Sequence, residues 1–109
     1  MKKSIPFEQH HSEFLRDPAR AKAYIEVALE EQEKDADTEA FLLAIRDVAE
    51  AQGGLGKLAE KTNLHRGNIY KALSKEGNPR LDTVEKILRE LGFQLWIKPL
   101  KVETEAIPT

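Results

Sequence analysis

The chain has 109 residues, of which 40% are hydrophobic and 33% charged, and its formal net charge at pH 7 is −2. A chain of this length and composition is typical of one domain with a modest core. The absence of cysteine excludes disulfides and cysteine-based zinc sites, and no apolar run approaches the ~20 residues that cross a bilayer, so we expect no membrane contact.

Residues 1–16 are expected to form an N-terminal segment ahead of the folded domain. They begin with MKKSIPFEQHH, which has basic residues but lacks the hydrophobic stretch of a signal peptide, and this predicts a cytoplasmic protein. His10 and His11 could bind a metal together with Glu8 and Glu13, but adjacent histidines in a polar segment are usually only solvated. We therefore expect no metal site and no cofactor.

A single helical domain is predicted for residues 17–98, and it opens with two helices. Asp17 and Pro18 combine a capping acid with proline at the first helical position, so the first helix should begin there and run to about Glu33. The second helix should open near Asp37 and Thr38 and end at Gly53-Gly54. Apolar residues recur at helical spacing in both, namely Ala21, Tyr24, Ile25, Ala28 and Leu29, then Phe41, Leu42, Ile45, Val48 and Ala49.

Acidic residues cluster in and between these two helices. The members are Glu30, Glu31, Glu33, Asp35, Asp37 and Glu39. One interpretation is a solvated linker between the helices. The other is a docking surface for a basic partner protein, and the residues alone leave both interpretations open.

The positive charge of the chain is concentrated between Leu55 and Arg80. This window holds six bases and two acids, a local net charge of +4, whereas the first 54 residues have a net charge of −5 and the last 29 have −1. Such an asymmetric distribution favours a polyanion at one face and repels it elsewhere. Double-stranded DNA is therefore the first partner to test.

The same window has the spacing of a helix-turn-helix at about residues 55–74. Ala59 supplies the small residue in the middle of the first helix, where a larger side chain would push the second helix away. Asn63 falls in the turn, where the backbone commonly needs a positive φ that asparagine tolerates. The apolar positions that lock the two helices together are Leu58, Leu64, Ile69 and Leu73.

A last helix and a short strand are predicted after Asn78-Pro79, which prevents a continuous helix. The helix should end at Gly92, with Asp82 in its first turn. Residues 93–98 then alternate apolar and polar side chains with a period of two residues, which predicts a short strand that ends before Pro99. Residues 99–109 are expected to form a flexible tail.

A lone strand leaves its backbone groups unpaired, so this one needs a neighbour. We expect it to pair with its twin across a two-fold axis in a homodimer. Pairing with a different partner chain and folding over the chain's own core are the alternatives. The expected interface residues are Phe93, Leu95, Trp96 and Ile97.

Three stretches, GGLGKLAEKTNL, IYKALS and GNPRLDTVEKILRELG, carry a family resemblance. They resemble the helix-turn-helix domain of the phage-repressor and Cro family, and more closely the addiction-module antidote proteins, the HigA-like antitoxins of toxin–antitoxin operons. The resemblance covers roughly residues 17–98. It implies an all-α, five-helix lambda-repressor-like domain with a short C-terminal β-strand. Leu55 and Gly56 stand where phage-type domains often have a phosphate-binding Gln, with Lys57 as the expected substitute, and His65 replaces the usual Ser or Thr cap.

With Ile69 and Leu73 buried, helical spacing turns one set of side chains toward DNA. We expect Arg66 and Asn68 to contact bases, because arginine pairs with the O6/N7 edge of guanine and asparagine with N6/N7 of adenine. Glycine at position 67 either permits a close approach to DNA or is simply tolerated in the helix. Tyr70 either donates a hydrogen bond to a phosphate or packs partly buried and braces the helix. His65 should lie near DNA at the helix start. The expected phosphate contacts are Lys57, Lys61, Lys71 and Arg80.

No enzyme is predicted. The glycine-rich run at residues 53–57 differs from a phosphate loop, because Leu58 replaces the required Ser or Thr and a helix precedes the run. No nucleophile, base and orienting residue stand at a recognised spacing, so no catalytic residue is assigned.

These features together predict a dimeric, sequence-specific transcriptional repressor. The resemblance further implies the antitoxin of a type II toxin–antitoxin module, which binds the operator of its own operon and neutralises a ribonuclease-type toxin. Two alternatives remain. One is a free-standing helix-turn-helix regulator without a toxin partner, and the other is a protein-binding adaptor that has lost DNA contact.

Overall fold

The computed structural model describes residues 12–35, 38–74, 76–97 and 99, without the side chains of residues 32–35. Residues 12–14 are helical, and no strand occurs in the described part. The longer helices are α1 (Pro18–Asp35), α2 (Thr38–Ala51), α3 (Leu55–Thr62), α4 (Arg66–Ala72) and α5 (Leu81–Glu90). The described chain is therefore all-α, as predicted, and none of its helices is both long and apolar enough to cross a membrane.

The start of α1 confirms the predicted capping signal. The Asp17 carboxylate accepts a hydrogen bond from the backbone N–H of Arg20 at 3.0 Å, and Pro18 is the first helical residue. The side-chain acceptor satisfies one of the N–H groups that a helix leaves unpaired at its start. Proline has no N–H, and at the first helical position that N–H would have no partner within the helix. The helix ends two residues beyond the predicted Glu33, at Asp35.

α1 packs against α2 through both apolar and polar contacts. Ala21 and Ile25 are buried in the core, and the Tyr24 hydroxyl donates a 2.6 Å hydrogen bond to Oδ2 of Asp47 on α2. Burial, with a further contribution from the bonded Asp47 carboxylate, raises the pKa of Tyr24 well above its ordinary value. The phenol therefore stays protonated and remains a donor to α2.

The acidic cluster is only partly described. Glu30 and Glu31 are exposed on α1, and Glu39 is partly buried at the start of α2. The side chains of Glu33 and Asp35, and the whole of Asp37, lie outside the described residues. Both interpretations of the cluster therefore stay open.

One core joins α2 to the three helices that follow it. The five predicted core residues of α2 are all buried, including Ile45 and Val48, which have no exposed surface. The later helices contribute Leu55, Leu58, Ile69, Leu73, Val84, Ile87 and Leu88. Full burial of one such side chain stabilises the fold by roughly 1.5–3 kcal/mol, so these contacts dominate the packing of α2 to α5.

α5 ends in a glycine turn, and no strand follows it in residues 93–97. Gly92 has a φ of 96°, and the Phe93 N–H donates to the Leu88 carbonyl at 2.9 Å, which closes the helix end. Residues 93–97 have no regular secondary structure, and residue 98 is outside the described part. The predicted strand is therefore not seen in residues 93–97, because a strand is defined by hydrogen bonds to a neighbouring strand. Of residues 99–109, only Pro99 is described.

The side chains after α5 divide into two groups. Phe93 is partly buried and packs against the core of its own chain. Leu95, Trp96 and Ile97 are exposed by 37%, 86% and 89%. The segment therefore does not fold over its own core beyond Phe93, and it presents three apolar side chains to solvent.

Gly77 generates a stability prediction, because it lies against the C-terminal end of α4. A Cβ atom added to Gly77 would lie 2.6 Å from the Lys71 carbonyl oxygen and closer still to that of Ala72. These atoms belong to the backbone and cannot rotate away, so we expect Gly77→Ala to lower the free energy of unfolding by about 1–3 kcal/mol. Urea unfolding monitored by circular dichroism measures this change.

Gly56→Ala is the matched control, since a Cβ at Gly56 would meet no atom nearer than 3.8 Å. Alanine is also the better helix former, so this variant should be at least as stable as the wild type. An unchanged urea midpoint for Gly77→Ala would contradict the close packing.

Candidate nucleic-acid interface

The turn between α3 and α4 has the predicted backbone conformation. Asn63 caps the end of α3 with φ 63° and ψ 21°, and it is the one described non-glycine residue with a positive φ. Asparagine adopts this left-handed conformation more readily than most residues. The turn prediction for Asn63 is confirmed, and the chain reverses between α3 and α4 within residues 63–65.

Thr62 holds the same turn from inside, although the sequence analysis did not single it out. Its side chain is 2% exposed. The Oγ1 hydroxyl donates to the Leu58 carbonyl at 2.8 Å and accepts from the Leu64 N–H at 3.3 Å. Threonine commonly bonds the carbonyl four residues earlier in a helix, and a threonine just before a turn asparagine is the signal that could have identified it. Thr62 therefore ties the end of α3 to the segment that leads into α4.

His65 opens α4 as its N-cap. Its backbone is extended, and its ring Nδ1 accepts a hydrogen bond from the Gly67 N–H at 3.2 Å. A ring nitrogen accepts only when it carries no proton, so this contact requires the neutral ring with its proton on Nε2. The imidazole thus caps the helix in place of the Ser or Thr that the family resemblance leads us to expect. Its Nε2–H is left available as a hydrogen-bond donor.

The residues predicted to read DNA lie together on the outer side of α4. Ile69 and Leu73 have no exposed surface, and they seat α4 on the core as predicted. The outward residues, which we call the α4 face, are Arg66, Gly67, Asn68, Tyr70 and Lys71, all of them exposed. A short helix with one apolar side and one polar side packs on the core in a single rotational orientation. The core therefore determines which side chains point outward.

The predicted phosphate contacts on α3 are also exposed. Lys57 and Lys61 both lie on the solvent side of α3. A Cβ added at Gly53 would lie 2.7 Å from Cδ of Lys57, so the lysine stem runs alongside that glycine. Gly53 has a φ of 123° and thus needs to be glycine for its conformation as well.

Two arginine side chains lie close to the Tyr70 ring. The Arg66 guanidinium carbon is 5.6 Å from the centroid of the Tyr70 ring, and that of Arg46 on α2 is 5.8 Å from it. Hydrogen bonding to Tyr70 is the main cause that raises the pKa of Arg66 above its ordinary value. The sequence analysis did not identify Arg46, because nothing local relates a residue of α2 to one of α4.

Arg80 already has a carboxylate as a hydrogen-bond partner. Its Nε donates to Oδ1 of Asp82 at 3.2 Å, and its Nη2 donates to Oδ2 at 3.4 Å. The bound guanidinium holds the pKa of Asp82 below its usual range. Both side chains are exposed, and such pairs contribute little to stability, so a phosphate could compete with Asp82 for Arg80.

No described part of the molecule gathers three or more histidine, aspartate or glutamate side chains at a distance suited to a metal ion. Glu8, His10 and His11 lie outside the described residues, and Glu13 is exposed. The described residues therefore do not test the sequence-derived suggestion of a metal site in this segment.

Comparison with known proteins relates residues 6–99, which include all five helices and the α4 face, to a family model described as "probable addiction module antidote protein". Among curated proteins, an uncharacterized protein of Haemophilus influenzae is 32% identical over 74 residues. That alignment covers 68% of this chain and 75% of the relative. No solved structure matches.

Proposed function

The chain belongs to the family of probable addiction module antidote proteins, and from that premise we propose that it is an antitoxin that also represses its own operon by binding DNA. An antidote protein acts against a toxin, so family membership supports a toxin partner. Operator recognition, repression and the ribonuclease nature of the toxin are our proposals. They are argued below from the positions of individual residues.

The α4 face is the observation that carries the DNA-binding proposal. We interpret α3 and α4 as a helix-turn-helix, with α4 as the recognition helix. Its buried residues hold it on the core, while its exposed residues include groups that pair with base edges. The major groove of DNA is about 12 Å wide and admits one helix, which fits a short helix whose whole outer side is polar.

The proposed contacts follow from side-chain chemistry. Arg66 and Asn68, at the start of α4, would read guanine and adenine edges. Lys57, Lys61, Lys71 and Arg80 would bind phosphates and hold the protein in register without specifying sequence. His65 would lie at the groove edge through Nε2, and the missing side chain at Gly67 would let the backbone approach DNA closely.

A homodimer would place two recognition helices on one operator. Helix-turn-helix dimers read half-sites about 34 Å apart, or multiples of that distance. The exposed side chains of Leu95, Trp96 and Ile97 support an interface at this segment, since exposed apolar groups of this size are typically covered by a partner. Pairing residues 93–98 with the same segment of a second copy would also satisfy the backbone groups of the strand, with Phe93 linking the interface to the core.

The toxin would bind a different surface from the DNA. Glu30 and Glu31 are exposed on α1, which is separated in the chain from the basic α3 and α4. A ribonuclease binds polyanionic RNA and is expected to have a basic surface, so an acidic helix is suited to cover it. The family match favours this role over a regulator without a toxin.

The first test is binding to the DNA upstream of the protein's own gene. Wild-type affinity should fall steeply with salt, because phosphate contacts release counterions. Arg66→Ala should lose about 1–3 kcal/mol of discrimination at one base pair of each half-site. Competition binding with a set of operators, each altered at one base pair, measures that loss.

Lys61→Ala is the matched control, because loss of a phosphate contact should weaken all operators equally and reduce the salt slope by about 1. A wild type that ignores the promoter fragment in dilute buffer would reject DNA binding. Equal weakening on every operator by Arg66→Ala would instead make Arg66 a phosphate contact.

The dimer proposal predicts that Leu95→Asp gives monomers with poor operator binding, because a carboxylate would be buried in an apolar interface. Sedimentation equilibrium measures the mass. Val27→Asp is the control, since Val27 is also an exposed apolar residue, at 56%, but lies on α1. An unchanged dimer mass for Leu95→Asp would reject the interface.

The antitoxin proposal predicts that co-expression with the adjacent gene relieves growth arrest caused by that gene alone. Arg66→Ala should still relieve the arrest, because it alters only DNA contact. Glu30→Lys combined with Glu31→Lys should weaken the relief, since like charges would then face a basic toxin. Growth curves after induction measure each outcome, and persistent arrest with the wild type would exclude neutralisation of that gene product.

A further inference from the structure

We infer that the DNA-contacting surface extends beyond α3 and α4 to Arg46 of α2, which together with the Tyr70 hydroxyl binds one backbone phosphate next to the base-reading Arg66. We call these three residues the Tyr70 cluster. The inference rests on the proposed DNA-binding function and adds a contact from a helix outside the helix-turn-helix.

The geometry of the Tyr70 cluster brings two cations to one ring. Arg66 and Tyr70 are four residues apart on α4 and therefore lie on the same side of that helix. Arg46 reaches the ring from α2, and both guanidinium carbons lie within 6 Å of the ring centroid, the range of a cation–π contact. The packing of α2 against the later helices thus places the Arg46 guanidinium next to the Tyr70 ring of α4.

The exposure of the cluster favours a ligand over a purely structural contact. Arg66 is exposed, Tyr70 is 37% exposed, and Arg46 is partly buried. Two guanidinium groups at one ring repel each other, and the carboxylate that acts on Arg66 from nearby is that of Glu50, an exposed residue. The cluster therefore keeps a net positive charge that an arriving anion would neutralise.

The start of α3 adds to the attraction for an anion. A Cβ at Gly56 would lie 3.8 Å from the Arg66 guanidinium, so the backbone at the start of α3 runs beside the cluster. The N-cap of α3 is Gly54, which gives no side-chain hydrogen bond to the helix. The positive end of the helix dipole is thus not masked by a capping side chain.

A phosphate diester suits Arg46 and the Tyr70 hydroxyl better than a base edge does. The Arg46 guanidinium can bind phosphate oxygens through a pair of parallel hydrogen bonds and the Tyr70 hydroxyl can donate a third, while Arg66 keeps its proposed contact with a base. Arg46 belongs to α2 and not to the helix that would enter the groove, so it would meet the DNA backbone and not a base edge. The contact would accordingly be independent of base sequence.

The test compares the wild type with Arg46→Gln on the promoter fragment and on a scrambled duplex over a range of salt concentrations. Loss of one phosphate contact should reduce the slope of log affinity against log salt by about 0.9, and by the same amount on both duplexes. Arg46→Lys keeps the charge and should preserve the slope.

Arg20→Gln is the matched control, because the Arg20 guanidinium also lies over an aromatic ring, at 4.7 Å from the centroid of Phe14, but on α1. It should leave DNA affinity and salt slope unchanged. Glu50→Gln removes the acid beside Arg66 and should raise affinity for both duplexes, which tests the cluster without altering its own residues.

The outcomes separate the inference from the function on which it rests. Absence of binding by the wild type would overturn the proposed function and the phosphate site with it. Wild-type binding together with an unchanged slope for Arg46→Gln would overturn the phosphate site alone. A weakening by Arg46→Gln that appears only together with a lower melting temperature, while Glu50→Gln has no effect, would make Arg46 a structural brace of Tyr70.

Discussion

The burial of Ile69 and Leu73 is the contact on which the candidate site depends. α4 has seven residues, and a helix of that length is not stable by itself in water, so its helical state comes from packing. Because both anchors have no exposed surface, α4 cannot rotate without exposing an apolar side chain. The same burial that stabilises the helix therefore determines which five side chains form the α4 face.

Both ends of α4 are also held. At its start, Thr62 and Asn63 define the turn and the His65 ring caps the Gly67 N–H. At its end, Gly77 lies against the last carbonyl groups of the helix. A recognition element that is rigid before binding loses less conformational entropy on binding, which is how short fixed helices recognise DNA with few side chains.

The distribution of charge separates the two proposed activities. The chain as a whole is slightly negative, yet the window from Leu55 to Arg80, which contains α3 and α4 and the candidate DNA surface, has a net charge of +4. Exposed acids such as Glu30 and Glu31 lie on α1 instead. This arrangement would let one small protein attract a nucleic acid at one surface and a basic protein at another, without the two ligands competing for the same charges.

The amino-acid sequence by itself determined the helix boundaries near Pro18 and Leu81, the buried stripes and the left-handed turn at Asn63. These features depend on hydrogen bonds and side-chain spacing within a few residues, which local chemistry dictates. Tertiary structure alone decided that Arg46 meets Tyr70, because that contact joins residues of two helices, α2 and α4, that only the common core brings together. The strand predicted for residues 93–98 is not seen in the described residues 93–97 for a related reason: its pairing groups need a neighbouring strand, and local sequence does not supply one.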